Sequence, residues 1–384
     1  MIKLLPFGYA ARNLYRDKTR LAQTLGGSAL VVFLVMGAHA LNEGMRKTLS
    51  ASGSPDNIIL LGAGSEESMQ RSEVSEQAAG IAEASIAGVY TRLGTRAVSP
   101  EIVHMAFMQL PGQIEARGLV RGVTPRAMLV HSDVAIMQGT FPGPGEVMVG
   151  RLAWKRFGVK PEDLSPGARI GFDDAELTVS GIFAAPGTVL ESEMWMHIND
   201  LRTLAQRDTV SAVVLRLDGG EPEDVELFTR QRLDLELTAI GEKDYYEKLA
   251  AFFAPLRTMT WITAALIAAA AVFGGLNTLY AAFAARVRET ATLQAIGFRR
   301  GAVYFSFVQE SLMTSLLGTL LGAMVAVLLL ADRVVYLSAG TFRLQFGPET
   351  LLAGMLAGTL LGLLGSLPPA VRCLKPSLPQ ALRD

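Results

Sequence analysis

Residues 258–285 read TMTWITAALIAAAAVFGGLNTLYAAFAA, which is 28 consecutive residues without Asp, Glu, Lys or Arg. A helix needs about 20 such residues to cross the hydrocarbon core of a bilayer. Three further stretches reach this length: 22 residues after Arg20, 21 after Glu310 and 22 after Glu349. The sequence therefore predicts a membrane protein with four spanning helices.

The composition of the 384-residue chain excludes several other classes. Half of the residues are hydrophobic, 18% are charged and the mean hydropathy is +0.32, which excludes a disordered chain. One cysteine excludes a disulfide framework. A net charge of -1 excludes nucleic-acid binding through overall charge.

Charge is distributed unequally around the apolar stretches. Residues 1–20, 286–300 and 372–384 together carry a formal charge of +9, whereas residues 42–257 carry -9. Short cytoplasmic flanks of membrane proteins are enriched in Lys and Arg. We therefore expect a multi-pass protein of the inner membrane, with both termini and loop 286–300 in the cytoplasm.

The first apolar stretch has one alternative interpretation. Ala38-His39-Ala40 is similar to the cleavage site of a signal peptide. The stretch is longer than the apolar region of such peptides, which is about 7–15 residues. We therefore interpret it as an uncleaved span.

These boundaries predict a one-plus-three arrangement of spans with a large α+β domain inserted after the first. In chain order we expect a cytoplasmic amphipathic elbow (1–20), a first span (21–42), an extracytoplasmic α+β domain with stalk helices (43–256), a second span (257–285), a cytoplasmic helix (286–300), a third span (301–331), an outer loop (332–349), a fourth span (350–371) and a cytoplasmic tail (372–384).

The predicted insert mixes strand-like runs such as Asn57–Leu61 with helix-like runs such as Gln70–Leu93. Its length allows one large or two small subdomains. Aromatic and aliphatic residues at helical spacing from Asp244 onward lead directly into the second span, which predicts one continuous helix to about Ala285. That helix and an extension of the first span could form a stalk, or be ordinary membrane-proximal helices.

Catalytic and metal-binding patterns are missing from the sequence. It has no GxxxxGK[ST] loop, no G-x-S-x-G elbow and no metal-ligand spacing among its four histidines, which we interpret as structural or surface residues. The acidic pairs Asp173-Asp174 and Glu191/Glu193 are interpreted as charged turns, and Cys373 as a free thiol. We therefore expect no catalytic residues and no bound metal or cofactor in this chain.

The loop between the second and third spans contains the most informative motif, RETATLQAIGFRR at residues 288–300. Glu289, Leu293 and Ile296 fall on one helical face, and Gly297 follows where a helix-ending glycine is favoured. We expect Phe298 to be an exposed aromatic beside Arg299. The apolar face could bind a partner protein or lie flat on the lipid surface.

This motif resembles the cytoplasmic coupling helix of the FtsX-like permease family, the MacB-type membrane subunits of ABC transporters. That family's pattern is E-x-x-x-L-[RQ]-A-[IL]-G followed by basic residues. NLYRDKTRLAQTLGGSAL (13–30) is similar to its elbow and first span. SPDNIILLGAG (54–64) and VLESEMW (189–195) are similar to its MacB-like periplasmic domain. The span order also matches.

The resemblance implies a permease subunit that is not itself an enzyme, because this chain lacks the ATPase that the macrolide exporter of the family carries at its N-terminus. A separate ATPase dimer would bind ATP and Mg and contact Glu289, Leu293, Ile296, Gly297, Phe298 and Arg299. A second permease copy, identical or paralogous, is implied.

The resemblance also implies that ATPase closure is transmitted to the periplasmic domain, a process called mechanotransmission in this family. The process could be export, with a periplasmic adaptor and outer-membrane channel, or lipoprotein and lipid handling. The alternative is an FtsX-like regulatory complex that controls a periplasmic hydrolase without transport.

Within the spans, small residues and two polar residues are notable. Small-residue faces allow helices to approach closely, within one bundle or at a dimer seam; they contain Gly318, Gly322, Gly354, Gly358 and Gly362. Glu310 is either a functional intramembrane carboxylate or an interfacial one paired with a loop arginine. We expect Asn277 to hydrogen-bond to a neighbouring helix.

Overall fold

The computed structural model describes residues 8, 12, 14, 16–111, 114–172, 175–331, 333–337 and 340–374. Most of the predicted elbow, the tail from residue 375 and the pair Asp173-Asp174 lie outside these residues. The chain divides into two compact units. The span unit comprises the chain up to Glu43, Pro255–Arg333 and the chain from Leu344 onward; the insert unit comprises Gly44–Ala254 and Val334–Arg343.

The helices are, in chain order, α1 (Lys18–Ser52), α2 (Gln77–Ser85), α3 (Ala127–Val130), α4 (Ala153–Phe157), α5 (Ile198–Leu204), α6 (Pro222–Gln231), α7 (Glu242–Phe252), α8 (Ala254–Ala284), α9 (Val287–Ala295), α10 (Arg300–Leu330) and α11 (Pro348–Cys373). Short 3₁₀ helices occur at Pro161–Leu164, Val189–Ser192 and Leu233–Leu235.

The strands are β1 (Asn57–Gly62), β2 (Thr91–Arg92), β3 (Thr95–Arg96), β4 (Val98–Leu110), β5 (Ile114–Val123), β6 (Ala135–Gly139), β7 (Glu146–Gly150), β8 (Arg169–Phe172), β9 (Ala175–Ala184), β10 (Met194–His197), β11 (Ala212–Arg216), β12 (Leu237–Gly241), β13 (Val334–Leu337) and β14 (Gly340–Arg343).

Four helical segments of the described chain are long and apolar enough to cross a membrane: Lys18–Ser52, Glu242–Ala284, Arg300–Leu330 and Pro348–Cys373. All the strands except the β13–β14 hairpin lie between the first and second of these segments. The predicted fold class, four spans with an α+β insert after the first, is therefore confirmed.

The helix that we expected from Asp244 to Ala285 is present as two helices. α7 ends at Phe252 and α8 begins at Ala254, with Phe253 in a turn between them. Pro255 explains the break, because proline has no N–H to donate to the carbonyl four residues earlier and is tolerated in the first turn of a helix. The sequence analysis overlooked this proline.

The insert unit is built around one ten-stranded sheet in which β4 is shared between two groups of strands. Val98–Glu101 of β4 pairs with β11, which continues to β1 and β12. Ile102–Leu110 of the same strand pairs with β5, and the pairing runs on through β10, β7 and β9. β8 pairs with both β9 and β4, which closes these six strands into a ring.

The predicted helix-like run Gln70–Leu93 is helical only over Gln77–Ser85. Val74 and Val89 on either side form isolated bridges with Val210 and Leu217. Both valines are buried in the core of the insert unit. Tertiary pairing therefore overrides the local helical pattern at both ends of this run.

The predicted outer loop 332–349 contains a β-hairpin, β13–β14, that belongs to the insert unit. Phe342 of this hairpin is fully buried, and its ring lies 6.3 Å from that of Phe253. A Cβ on Gly340 would be 3.1 Å from the Val189 side chain. All four spans are thus linked covalently to segments of the insert unit.

The five glycines that we predicted to form small-residue faces of α10 and α11 contact other helices inside the span unit. A Cβ on Gly318 would be 2.6 Å from Ser28 of α1, and one on Gly354 would be 2.7 Å from Met36. Gly322 lies against the Ala29 carbonyl, and Gly358 and Gly362 lie against residues of α10. Asn277 lies on an exposed part of α8, and the hydrogen bond that we expect from it to a neighbouring helix stays a prediction.

These contacts predict that the same Gly→Ala substitution affects stability differently at two helical glycines. Gly322→Ala places a methyl group against the Ala29 carbonyl and should destabilise the span unit by about 1–3 kcal/mol. Gly275→Ala, where a Cβ meets nothing within 4 Å, should be neutral or stabilising by up to about 1 kcal/mol. Thermal unfolding of the two variants in detergent checks the difference; equal melting temperatures would contradict the packing described.

Candidate functional site

The segment between α8 and α10 folds as a short helix with a complete C-terminal cap. The N–H of Gly297 donates to the Gln294 carbonyl at 3.0 Å, and the N–H of Phe298 donates to the Leu293 carbonyl at 3.1 Å. This pair of bonds is the Schellman motif, which requires a left-handed residue at Gly297. Its φ is +104°, as the position of the glycine predicts. The cap fixes where the chain leaves α9.

The residues predicted to form one exposed face do not share one environment. Leu293 and Phe298 are half-buried and pack against a cluster that includes Phe283 and Phe307. The exposed aromatic expected at Phe298 is therefore wrong, because its own bundle covers part of the ring. Ile296 is 70% exposed and Arg299 is also exposed. The outward surface of this loop is thus formed chiefly by its C-terminal end.

An alternating chain of charges ties α9 to α1 and α10. Glu289 of α9 pairs with Arg16 and, at 3.2 Å, with Arg286. Arg286 also donates to Glu310 of α10 at 2.8 Å, and the other carboxylate oxygen of Glu310 accepts from Arg20 of α1. The sequence leaves two interpretations of Glu310, a functional carboxylate or one paired with a loop arginine. In the structure it is paired with two arginines.

The inner part of this network is buried. The side chains of Glu310, Arg286 and Arg20 are 5%, 12% and 13% exposed. Arg286 also lies 5.5 Å above the ring of Phe307, which stacks on Phe283 at 4.1 Å. Buried charges are tolerated when they are paired, and removal of one partner is strongly unfavourable. The positions of α9, α1 and α10 at this point are therefore coupled.

The outer member of the network, Glu289, is partly exposed. Burial by itself raises the pKa of its carboxyl, but the hydrogen bonds and charges of Arg16 and Arg286 outweigh that effect and lower the pKa. Glu289 is therefore ionised at neutral pH and keeps both arginines in place.

The sequence analysis missed a second charged cluster, in the core of the insert unit. Arg121 of β5 forms two hydrogen bonds with Glu193, at 2.7 and 2.8 Å, and one with Glu101 of β4 at 2.7 Å. His131 lies 2.8 Å from Glu101 and 3.9 Å from Glu242, the first residue of α7. All five side chains are buried.

This part of the structure corrects the interpretation of one acidic pair. Glu191 and Glu193 were assigned to a charged turn, but each is 2% exposed and paired, with Arg151 and Arg121 respectively. His131, which we interpret from the sequence as a structural or surface residue, is buried between two carboxylates. The sequence feature that could have revealed the cluster is Arg121, the single charged residue within the apolar run Leu119–Val123. A charge inside a buried strand needs a partner.

Within the described ranges, no group of three or more His, Cys, Asp or Glu side chains could hold a metal ion. The charged clusters of both units are arranged as ion pairs. Their chemistry is therefore that of fixing one element against another.

Comparisons with known proteins give two matches to family models. The model described as the MacB-like periplasmic core domain matches residues 21–227, and the one described as the FtsX-like permease C-terminal matches residues 261–378. No curated protein matches the sequence significantly.

Two solved structures are similar to part of the chain. The periplasmic region of MacB from Actinobacillus actinomycetemcomitans has 9% sequence identity and a TM-score of 0.39, covering 53% of this chain and 97% of its own. The extracellular domain of the noncanonic ABC-type transporter YknZ from Gram-positive bacteria has 15% identity and a TM-score of 0.36, covering 48% of this chain and 99% of its own.

The buried pairs of Glu310 make a specific prediction about stability. Glu310→Gln leaves Arg20 and Arg286 without a buried anion and should lower the free energy of unfolding by roughly 3–5 kcal/mol. Glu349→Gln makes the same chemical change at an exposed position of the span unit and should have little effect. Denaturant unfolding in detergent compares them; equal stability would contradict the coupling role of Glu310.

The insert cluster predicts a loss of stability in acid. Burial alone raises the pKa of Glu101, but His131 and Arg121 outweigh it and lower that pKa to about 2 from 4.5. A carboxyl group whose pKa is lowered by folding stabilises the fold above pH 4.5. This contribution to the free energy of unfolding, about 3 kcal/mol, is lost as the pH falls toward 2. Unfolding of the full chain at several pH values should show this loss of stability in acid. The Glu101→Gln chain should not show the loss, whereas the Glu223→Gln chain, changed at an exposed site, should show it as the wild type does.

Proposed function

Because this chain belongs to the family of FtsX-like permeases with a MacB-like periplasmic core domain, which are components of ABC transporters, we propose that it is the membrane subunit that transmits the work of a separate ATPase subunit to the insert unit. The cofactors, ATP and Mg, belong to that ATPase. The chain itself then carries out no catalysis.

The observation that carries this proposal is that two kinds of contact, an ion pair and apolar packing, attach the loop containing α9 to the bundle. Its inward side is fixed to the bundle by Glu289 and by the half-buried Leu293 and Phe298, while Ile296 is exposed. A short helix held in this way transmits a push on its exposed end to α1 and α10. If the loop instead only lay on the lipid surface, the buried ion pairs that join it to α1 and α10 would not be needed.

The arrangement of the complex follows from the same proposal. Loop 286–300 and both termini lie in the cytoplasm, where the ATPase is, and the insert unit lies outside the inner membrane. A second permease copy completes the transporter, and a periplasmic adaptor with an outer-membrane channel is a partner if the process is export. Lipoprotein or lipid handling is the other transport process within this proposal.

The exposed end of the loop provides the test. Ile296→Asp places a charge on the proposed ATPase contact and should reduce recovery of the ATPase with the purified chain by about tenfold or more, since burying an unpaired carboxylate is costly. Leu233→Asp is the matched control, because Leu233 is 78% exposed and lies in the insert unit. The measurement is co-purification from membranes of cells that express the chain and its ATPase.

Unchanged recovery of the ATPase with the Ile296→Asp chain would overturn the contact. Ile296 is preferred to Phe298 for this purpose. Phe298 is partly covered by its own bundle, so that Phe298→Asp would also disturb the fold of the loop.

A further inference from the structure

Glu242 joins two segments of the insert unit that are distant in sequence. It is the first residue of α7, and its carboxylate accepts hydrogen bonds from the Ser54 N–H at 3.0 Å and from the Asn57 side-chain amide at 2.9 Å. Ser54 lies two residues after the end of α1, and Asn57 begins β1. A Cβ on Gly53 would be 2.6 Å from the backbone of Lys243, so the two segments are in close contact.

The chain segments on the two sides of this contact lead to the first two spans. α1 contains the first span and ends just before Ser54, and α7 is followed by α8 after the single residue Phe253. A change in the bonds of Glu242 would therefore act on the segments of the insert unit that connect to both spans.

His131 lies between Glu242 and the remaining charges of the cluster. Its Nε2 is 2.8 Å from Glu101 and its Nδ1 is 3.9 Å from Glu242. The ring also lies 5.6 Å from Trp195 and is buried. Arg121 is the nearest cation, and it is already bonded to Glu101 and Glu193.

The buried charges of this cluster do not sum to zero. With Glu101, Glu193 and Glu242 ionised and Arg121 charged, the buried groups carry a net charge of -2 when His131 is neutral and -1 when it is protonated. Tyr246 of α7 is also buried beside Glu242 and adds no charge while it is protonated. A proton on His131 therefore favours an ionised Glu242, and its loss removes this stabilisation.

We propose that His131 and Glu242 form a proton-binding clamp that holds the start of α7 to the segment after α1 while His131 is protonated and holds it less firmly as the pH rises. The proton comes from the solvent and adds to the free nitrogen of His131. It strengthens the attraction to Glu101 and Glu242 without any bond being broken.

The direction of the effect agrees with the titration of His131. Burial lowers the pKa of His131, but Glu101 and Glu242 outweigh burial and raise it. Burial raises the pKa of Glu242, and His131 only partly offsets this. A group whose folded-state pKa is raised loses its stabilising contribution as the pH rises through that pKa. Loss of the proton from His131 therefore weakens the clamp toward higher pH, while Glu242 acts as its ionised partner.

The test is hydrogen exchange by mass spectrometry on the full-length chain in lipid nanodiscs at pH 6, 7.5 and 9. We expect the protection factors of residues 54–60 and 245–251 to fall by at least about threefold between pH 6 and 9, relative to residues 222–231 of α6. One linked proton sets an upper limit of about tenfold per pH unit. His131→Gln, which cannot be protonated, should abolish this dependence.

His197→Gln is the matched control, because His197 belongs to the same unit but caps α5 through Asn199; it should behave like the wild type. Protection that is independent of pH in the wild type, or that still depends on pH in His131→Gln, overturns the clamp. If His131→Gln does not fold, Glu242→Gln replaces it: loss of the pH dependence supports the clamp, and an unchanged dependence overturns it. No ATPase is present, so failure here is distinct from failure of the proposed coupling.

Discussion

A charge that is removed from water must be paired, and the two units of this protein are organised around that constraint. In the span unit, Glu310 lies between Arg20 and Arg286, and so α10 is fixed to α1 and to the start of the loop that contains α9. In the insert unit, Arg121 is enclosed by Glu101 and Glu193. Neither cluster tolerates the loss of a partner, which makes each a point where separate elements keep a fixed relation.

The two clusters differ in what can change them. The span cluster consists of guanidinium and carboxylate groups and ends at the partly exposed Glu289, so a force on the loop is passed on without a change of charge. The insert cluster contains His131, the side-chain type whose ordinary pKa is closest to neutral pH. The mechanical role that we propose for one unit and the proton-dependent role that we propose for the other rest on this difference in side-chain chemistry.

Much of the architecture was predictable, because bilayer thickness sets a length that uncharged stretches such as 258–285 reveal directly. The resemblance based on residues 288–300 is confirmed by the two family models. Gly297 could be placed because the end of a helix is a local matter of backbone conformation. Pro255 was equally readable and was overlooked. The contact of the loop with an ATPase stays a prediction, as do the sides of the membrane.

The sequence by itself determined the number of spans, the position of the insert and the family, since each depends on the order and type of neighbouring residues. Only the tertiary structure decided which charges meet: Arg20 and Glu310, or His131 and Glu242, are far apart in the chain, and no local pattern pairs them. It also decided that Phe298 packs against its own bundle and that Asn277 is exposed on α8. The physical reason is that burial and ion pairing are set by packing between distant segments, whereas span length and helix ends are set by the segments themselves.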